Sequence, residues 1–499
     1  MGLIRNDASQ QHRRRESLLL VPPLVFTAIV YYPVTRTCLH HDDFLHLYQI
    51  ANDSFLQFWV TPNGGHVYLT RNLIFYLMSV LFGTHPEPYY WTSFLTHLVN
   101  VWLLFRVLLL FTHSTRLACF GATLWGISPF SEETLGWYAV YGHALVGTLL
   151  LIILDQALRA AEAGRPPSRR TLCLWYALAL MAATSFGVGV GIAMVLPFVL
   201  LLLLHPAGPL TAWRLPPLIS LVVVVPALYW VVMWAYTALS GVGPGLPPSV
   251  TLSTPAAIPV YSAHLIALGL TRLLFGAYFP PWLTVGFWYG VLGCFMIALV
   301  GVLRRSGTPV RRQIAACLLL LLACYGMVAL GRAYFMAKLP MSTFVLFSRY
   351  HYVGQLVLAI LLCILLAGMS PALPLRARWI ALWAWFAVAI VVYMSYGTAI
   401  DTHLEARKET ENVLASIQAA IEAQPRGEAV YIPNRVFGQL PLPGMFPGWA
   451  AVFTIFYSDN TVDGRTVYFI DNSPGALGAA LHGRRTRTLV VRKRRSDGG

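Results

Sequence analysis

Long apolar runs broken by short basic turns set the rhythm of this chain from its start to about position 400. The opening run, Ser17 to Thr35, follows Arg13-Arg14-Arg15 and is long enough to cross a bilayer. No small-x-small cleavage site closes it, so it reads as an uncleaved anchor with its basic end in the cytoplasm. Beyond it, Leu47, Tyr48, Ala51, Phe55 and Phe58 recur at helical spacing among polar residues, the pattern of a helix lying in the interface. Tyr68 to Phe82 is short for a crossing and contains Arg71 and Asn72. The stretch from Arg36 to Pro88 is therefore expected to be a large external loop held against the membrane.

Tyr89 to Phe111 then crosses back, and Thr112 to Arg116 forms an internal turn. The compact run Leu117 to Ile127 delivers Ser128 to Glu133 to the exterior. Trp137 to Leu158 returns inward and ends among Arg159, Arg165, Arg169 and Arg170, which mark the cytoplasmic side. Two joined spans, Leu172 to Gly187 and Val188 to Leu204, precede Leu215 to Leu239. An exterior loop rich in Gly, Pro and Ser follows at Gly241 to Pro259. Trp282 to Leu303 ends in Arg304-Arg305 and must run inward. Ile258 to Phe279, which also begins outside, is then an interfacial or re-entrant helix carrying Arg272. Gln313 to Leu330, Tyr352 to Met369 and Trp379 to Tyr396 complete eleven expected spans, with the N-terminus inside and the C-terminus outside.

From about Ile400 the pattern turns polar. Leu404, Val413, Leu414, Ile417 and Ile421 fit an amphipathic helix, and Ala429 to Ile432, Thr466 to Ile470 and Thr488 to Val491 read as strands. About 100 residues suffice for a small domain. The expected organisation is a basic cytoplasmic N-terminus (1–16), a transmembrane domain (17–399) and a small external α/β domain (400–499) with a basic tail.

Composition agrees with a polytopic α-helical membrane protein: 57% of residues are hydrophobic and 11% charged, with a mean hydropathy of +0.63. The formal net charge of +15 would suggest nucleic acid in a soluble protein. Here much of the excess lies in short loops between apolar runs, where it orients the chain, and no nucleic-acid partner is implied. Seven scattered cysteines support neither a disulfide framework nor a metal site.

Candidate chemistry begins at His40-His41-Asp42-Asp43-Phe44, just beyond the first span. One aspartate can cap the helix starting at Phe44. A cap needs only one carboxylate, and a second at the outer surface can serve as general base for a sugar transfer from a lipid-carried donor. Arg349 lies at the outer mouth of a span. It either snorkels as an interfacial anchor or binds a donor phosphate through its planar fork. Arg272, Arg332 and Lys338 are further donor-phosphate candidates. His97 and Asn100 lie inside a span, as interhelical hydrogen bonding requires, and Asp155 near a cytoplasmic end reads as structural.

His-His-Asp-Asp-Phe after a first span, Tyr68-Leu69-Thr70-Arg71, Phe82-Gly83 and the run from Tyr89-Tyr90-Trp91 to His97-Leu98-Val99-Asn100 together resemble the GT-C superfamily of polyprenyl-phosphate-sugar-dependent glycosyltransferases. That set includes protein mannosyltransferases, aminoarabinose transferases and transmembrane O-mannosyltransferases with tetratricopeptide repeats. Ser128 to Trp137, Ser-Pro-Phe-Ser-Glu-Glu-Thr-Leu-Gly-Trp, is similar to the last group's His-Pro-Val-His-Thr-Glu-Ala-Val-Ala-Trp. Ser348-Arg349-Tyr350-His351-Tyr352 is similar to its Glu-Arg-Tyr-Leu-Tyr. Ser128 stands where that pattern has His and Ser348 where it has Glu. No tetratricopeptide array follows, so transfer to protein as in that subgroup is not implied.

The resemblance implies a GT-C-like fold and a hexosyl- or pentosyltransferase using a polyprenyl-phosphate sugar donor at the outer membrane face. The acceptor would be a hydroxyl on a lipid, glycan or protein. Asp42 or Asp43 matches the family's base, with Asp42 favoured. Glu133 matches the second-loop acid, which orients the acceptor or helps hold a divalent ion. His41, Arg71, Tyr350 and His351 would line the site, and no cofactor beyond such an ion is called for. A transporter or flippase of lipid-linked sugars would instead place ionisable residues at mid-membrane and show paired halves. A polymer ligase or polymerase would share the donor without needing the early carboxylate pair.

Overall fold

A computed structural model describes residues 18–37, 39, 42–62, 66–83, 85–204, 216–240, 257–276, 284–336 and 347–369, six isolated positions between 383 and 425, and strands at 429–433, 461–462 and 465–470. Its first half comprises α1 (Leu18–Arg36), α2 (Asp42–Asn52), α3 (Phe55–Val60), α4 (Leu69–Phe82), α5 (Pro86–Thr112), α6 (Thr115–Gly126), α7 (Glu132–Gly136) and α8 (Gly142–Glu162). Its second half adds α9 (Arg169–Ala183), α10 (Gly187–Leu204), α11 (Pro216–Ile219), α12 (Leu221–Ser240), α13 (Ala257–Phe275), α14 (Thr284–Arg305), α15 (Thr308–Met336) and α16 (Tyr352–Gly368).

Among the described residues nine helices are long and apolar enough to cross a membrane, and eleven spans are not found. The difference has a physical origin. Helices α6 and α9, expected to be crossings, have 12 and 15 residues. At about 1.5 Å per residue they fall short of a hydrocarbon layer roughly 30 Å thick. Every residue of α6 from Leu117 to Gly126 is buried, so its apolar composition reflects protein contact rather than lipid. Helix α13, expected to be interfacial or re-entrant, is a continuous helix of 19 residues and is among the nine. The expected last span at Trp379 to Tyr396 and the helix from Leu404 to Ile421 lie outside the described residues.

The first loop folds as expected into short helices. Helix α4 buries Arg71, Asn72, Phe75 and Met78 and exposes Leu73, Leu77, Val80 and Leu81, an apolar outer face suited to the membrane boundary. Asn72 Nδ2 donates to the carbonyls of Phe58 (3.1 Å), Trp59 (3.2 Å) and Thr61 (3.1 Å), which closes the α3–α4 connection.

Helices α5, α6, α8 and α16 meet around a buried polar network. His97 Nε2 lies 2.9 Å from the Gly126 carbonyl and must donate there, so its Nδ1 accepts from the Tyr352 hydroxyl at 2.9 Å. Asn100 Nδ2 donates to the Ala144 carbonyl (3.0 Å) and the Tyr352 hydroxyl (3.1 Å), while Thr148 donates to Asn100 Oδ1 (2.7 Å). Trp125 Nε1 donates to the Tyr352 carbonyl at 3.1 Å. Interhelical bonding therefore accounts for His97 and Asn100. Helix α10 packs on α15 through Gly191, where a Cβ would come within 2.3 Å of Met327 Cγ and 2.6 Å of the Ala323 carbonyl oxygen. Asp155 pairs with Arg106 (2.8 Å) and Arg159 (3.1 Å), a structural ion cluster.

Farther along, β1 (Ala429–Pro433), β2 (Thr461–Val462) and β3 (Arg465–Ile470) form one sheet in the order β1-β3-β2. Strand β1 runs parallel to β3 and β2 antiparallel to it. Two of the three expected strands coincide with β1 and β3. The third, at Thr488 to Val491, lies outside the described residues.

The orientation is open to direct measurement. Ser54 caps α3 and Ser168 caps α9, and both are exposed. With Cys38, Cys173 and Cys294 replaced, an impermeant thiol reagent on intact cells is expected to modify Ser54→Cys and spare Ser168→Cys. The reverse pattern would invert the topology and move the proposed active side to the cytoplasm.

Candidate functional site

Three connecting segments far apart in sequence meet at one end of the bundle. Asp42 and Asp43 open the first turn of α2, where the unpaired amide groups of a helix favour negative charge. Asp43 is fully buried. Its Oδ2 accepts from the Tyr90 hydroxyl at 3.2 Å and its Oδ1 from the Ala139 backbone N–H at 2.6 Å. The carboxylate thus ties α2 to α5 and to the turn at Tyr138–Val140. Asp42 is half-buried.

Arg71, in the first turn of α4, is 1% exposed and lies with Cζ 4.2 Å from the Tyr68 ring centroid. Burial draws its pKa down to about 10, opposed by the charge of Tyr68, Asp42 and Asp43. Its Nε and Nη1 make no hydrogen bond. Burial likewise holds His46 well below the usual imidazole value, assisted by Arg71.

Glu133, in α7, faces the 3-10 turn Ser348–His351 that leads into α16. Its Oε2 accepts from the Ser348 hydroxyl (3.2 Å) and the Arg349 backbone N–H (3.1 Å), and its Oε1 forms an ion pair with Arg349 Nη1. The Arg349 guanidinium lies over the rings of Trp137 (5.0 Å), Phe347 (4.6 Å) and Tyr350 (4.8 Å). Arg349 is therefore held by a carboxylate and three aromatic rings, a different arrangement from a cation snorkelling into headgroups. Ser348, where the resembled pattern has Glu, donates to Glu133.

The other candidates gather near these two centres. Arg332 Cζ is 5.7 Å from the Tyr350 ring, and Arg272, 9% exposed, is 5.7 Å from Phe130. His351 is buried against Phe130, with ring centroids 4.5 Å apart, and its Nδ1 lies 3.2 Å from the Tyr325 hydroxyl. Tyr68 connects the groups. Burial pushes its pKa up to about 12, and it feels Arg71, Arg332, Tyr350 and Asp42 together. Tyr68, His66 and Trp137 were not singled out as site residues by sequence reasoning. Tyr68 and Trp137 carried a signal, as the first residue of Tyr-Leu-Thr-Arg and the last of Ser128 to Trp137, and His66 carried none. His41 and Lys338 lie outside the described residues.

A divalent ion finds little support in these side chains. Both oxygens of Asp43 and both of Glu133 are engaged by protein donors. Among the described residues no three His, Cys, Asp or Glu side chains come together as ligands.

No family model matches the chain, and no curated protein matches it. Solved structures of the oligosaccharyltransferase of Archaeoglobus fulgidus are similar to it. One, tethered to an acceptor peptide containing the NVT sequon, is 14% identical with a TM-score of 0.40, covering 78% of this chain and 55% of its own. A second, in complex with an inhibitory peptide and a dolichol-phosphate, is 15% identical with a TM-score of 0.41, covering 91% and 64%. A third, with Zn and sulfate, is 15% identical with a TM-score of 0.41, covering 90% and 61%. The chain thus spans less than two thirds of the length of these enzymes.

The Glu133–Arg349 pair has a thermodynamic consequence. Glu133→Gln in detergent or nanodiscs is expected to lower unfolding stability by about 1–3 kcal/mol, the usual range for a charge-assisted hydrogen bond. Arg349→Gln should cost a similar amount. The double substitution should cost clearly less than the sum; strictly additive losses would show that the two side chains do not interact.

Proposed function

We propose that the chain is an integral membrane glycosyltransferase that moves a sugar from a polyprenyl-phosphate donor to an acceptor hydroxyl at the outer membrane face. The observation that carries this reading is the convergence of Asp42 with Arg71 and, through Tyr68, with Arg332 and Tyr350, the ring that the Arg349 guanidinium also lies over. A general base and cations suited to a phosphate thus stand in adjoining positions.

Asp43 has both oxygens committed to Tyr90 and Ala139, which favours Asp42 as the base. In the proposed step Asp42 takes the proton of the acceptor hydroxyl as its oxygen bonds to the anomeric carbon. The bond from that carbon to the phosphate oxygen breaks on the opposite face, and its electron pair leaves with the polyprenyl phosphate. Attack opposite the leaving group inverts the anomeric centre. Arg349 stabilises the departing phosphate through its remaining N–H groups. Glu133 positions Arg349 in this scheme, and Arg332, which lies at the same Tyr350 ring, assists.

The transporter alternative draws no support from the mid-membrane polar groups. His97, Asn100, Thr148 and Tyr352 bond to one another and to backbone carbonyls, as a structural network does.

Asp42→Asn is expected to reduce turnover by about two orders of magnitude or more, the range for loss of a general base, with folded protein retained. Asp43→Asn should instead lower thermal stability, because an amide replaces a carboxylate that accepts two buried hydrogen bonds. Full transfer activity in the Asp42→Asn, Asp43→Asn double variant would eliminate the mechanism.

At Arg349 the planar fork serves Glu133 and the aromatic rings as well as a phosphate. Arg349→Lys should thus impair donor use measurably, and Arg349→Ala more strongly. Donor titrations in nanodiscs separate this from simple anchoring, for which Lys would match the wild type. Unchanged donor affinity and turnover in Arg349→Ala would place the phosphate elsewhere.

A further inference from the structure

Helices α14 and α15 meet in a hairpin whose turn lies between Arg304-Arg305 and Arg311-Arg312. Its own backbone closes it: the Ser306 N–H donates to the Val302 carbonyl (2.8 Å) and the Arg311 N–H to the Gly307 carbonyl (3.2 Å). Arg311 Nε donates to the Leu303 carbonyl at 2.9 Å, which draws the first turn of α15 onto the last of α14. Arg304, Arg305 and Arg311 are exposed and Arg312 is half-buried. Four guanidiniums thus stand around one tight turn.

The neighbouring sequence brings them no counter-charge. No Asp or Glu occurs between Glu162 and Asp401. The last acids before that gap have partners of their own, Asp155 in Arg106 and Arg159, and Glu162 in His113 at 3.6 Å.

The hairpin stands at the opposite end of the bundle from Arg349. Arg349 lies just before α16 begins, whereas Gly368, at its end, packs on α14, where a Cβ would come within 2.7 Å of Val302 Cγ1. The 17 residues of α16 put the two ends far apart. At 1.5 Å per residue the separation is roughly 25 Å.

Helix α14 has two unlike faces. Trp288, Phe295, Leu299 and Val302 are buried, while Gly286, Gly290, Gly293 and Ile297 follow one another along an exposed stripe. Ile297 is 75% exposed. Apart from the helix's own backbone, no atom among the described residues lies within 4 Å of where a Cβ would stand on these three glycines. They make the face a shallow apolar groove that runs toward Arg304. From Gly293 to Arg304 the groove is roughly 16 Å long, about half of a hydrocarbon layer roughly 30 Å thick. One leaflet's acyl chain fills that depth.

Each part of this surface selects part of its occupant. Guanidiniums fit phosphate oxygens through their planar forks, and the groove fits a hydrocarbon chain. A phospholipid carries both. Four arginines without an acid also leave a surplus of positive charge, which an anionic headgroup neutralises and a zwitterionic one, bearing its own cation, does not.

We propose that the α14–α15 hairpin binds an anionic phospholipid of the leaflet opposite the candidate site. Arg304, Arg305, Arg311 and Arg312 hold its phosphate, and one of its chains lies along the glycine face of α14. The proposal is independent of the transfer reaction, and the lipid is a structural partner rather than a sugar donor.

The test titrates the full chain, purified in detergent, with dioleoyl phosphatidylglycerol or dioleoyl phosphatidylcholine and counts retained lipids by native mass spectrometry. Thermal unfolding confirms that each variant is folded. Phosphatidylglycerol is expected to bind saturably, more tightly than phosphatidylcholine by about tenfold or more, and to resist displacement by excess glycerol phosphate. The double variant Arg304→Gln, Arg305→Gln should weaken that binding by about fivefold for each arginine removed, the size expected for a basic side chain at an anionic surface. Gly293→Leu, whose side chain enters the groove, should weaken it as well. Arg169→Gln with Arg170→Gln removes the same charge from the exposed start of α9 and should leave it unchanged. The proposal is overturned if the two lipids bind alike, or if glycerol phosphate displaces phosphatidylglycerol. It is equally overturned if the hairpin pair or Gly293→Leu has no effect, or if the α9 pair costs as much as the hairpin pair.

Discussion

The buried carboxylate of Asp43 is the contact on which the arrangement of the site depends. An ionised carboxylate removed from water loses several kcal/mol of solvation, so it persists only where donors and positive charge replace the water. Tyr90 and the Ala139 N–H supply the donors, and Arg71 supplies charge. Because these partners come from α5, from the turn before α8 and from α4, one side chain gathers three segments. Asp42, one residue earlier and half-buried, is carried to the edge of the same cluster. The helix places two acids together, and they differ in burial.

Behind the site, the network of His97, Asn100, Thr148, Trp125 and Tyr352 gives the segments a fixed base. Polar side chains inside a membrane bundle are tolerated when they satisfy one another, and each contributes on the order of 0.6–2 kcal/mol. Tyr352 is the hub, since its hydroxyl and carbonyl together contact α5 and α6. It directly follows the turn that carries Arg349, and Ser128, just after α6, donates to Gln355 on α16 at 2.6 Å. The loop bearing Glu133 and the turn bearing Arg349 are therefore anchored to the same helix pair, which holds their ion pair in place.

Much of this was legible in the sequence, and what was not has a physical reason. The first-loop helices could be read because the spacing of Leu47, Phe55 and Phe58 is a local property. The Asp pair and Arg349 stood out because charge beside an apolar run is costly without a purpose. Which aspartate is buried was hidden, because Tyr90 and Ala139 approach it from 47 and 96 residues away. The Glu133 contact with Arg349 spans 216 residues and leaves no local trace. Helix α6 misled the span count because an apolar run enclosed by protein has the same composition as one enclosed by lipid.

In the proposed transfer, the geometry at Arg349 lets a charged pair serve a phosphate without being released. Glu133 engages Nη1 and the backbone N–H, and the rings of Trp137, Phe347 and Tyr350 surround the guanidinium. A lysine ammonium could satisfy Glu133, but it has neither the planar faces for the rings nor a second set of donors in a fixed direction. A guanidinium bound along one edge still presents N–H groups along another, already oriented and partly desolvated. Orientation set in advance means that little is reorganised when negative charge develops on a departing phosphate, the condition under which electrostatic stabilisation contributes most to rate. On this argument Glu133 lowers the net charge of the site at rest while fixing the direction in which Arg349 can act.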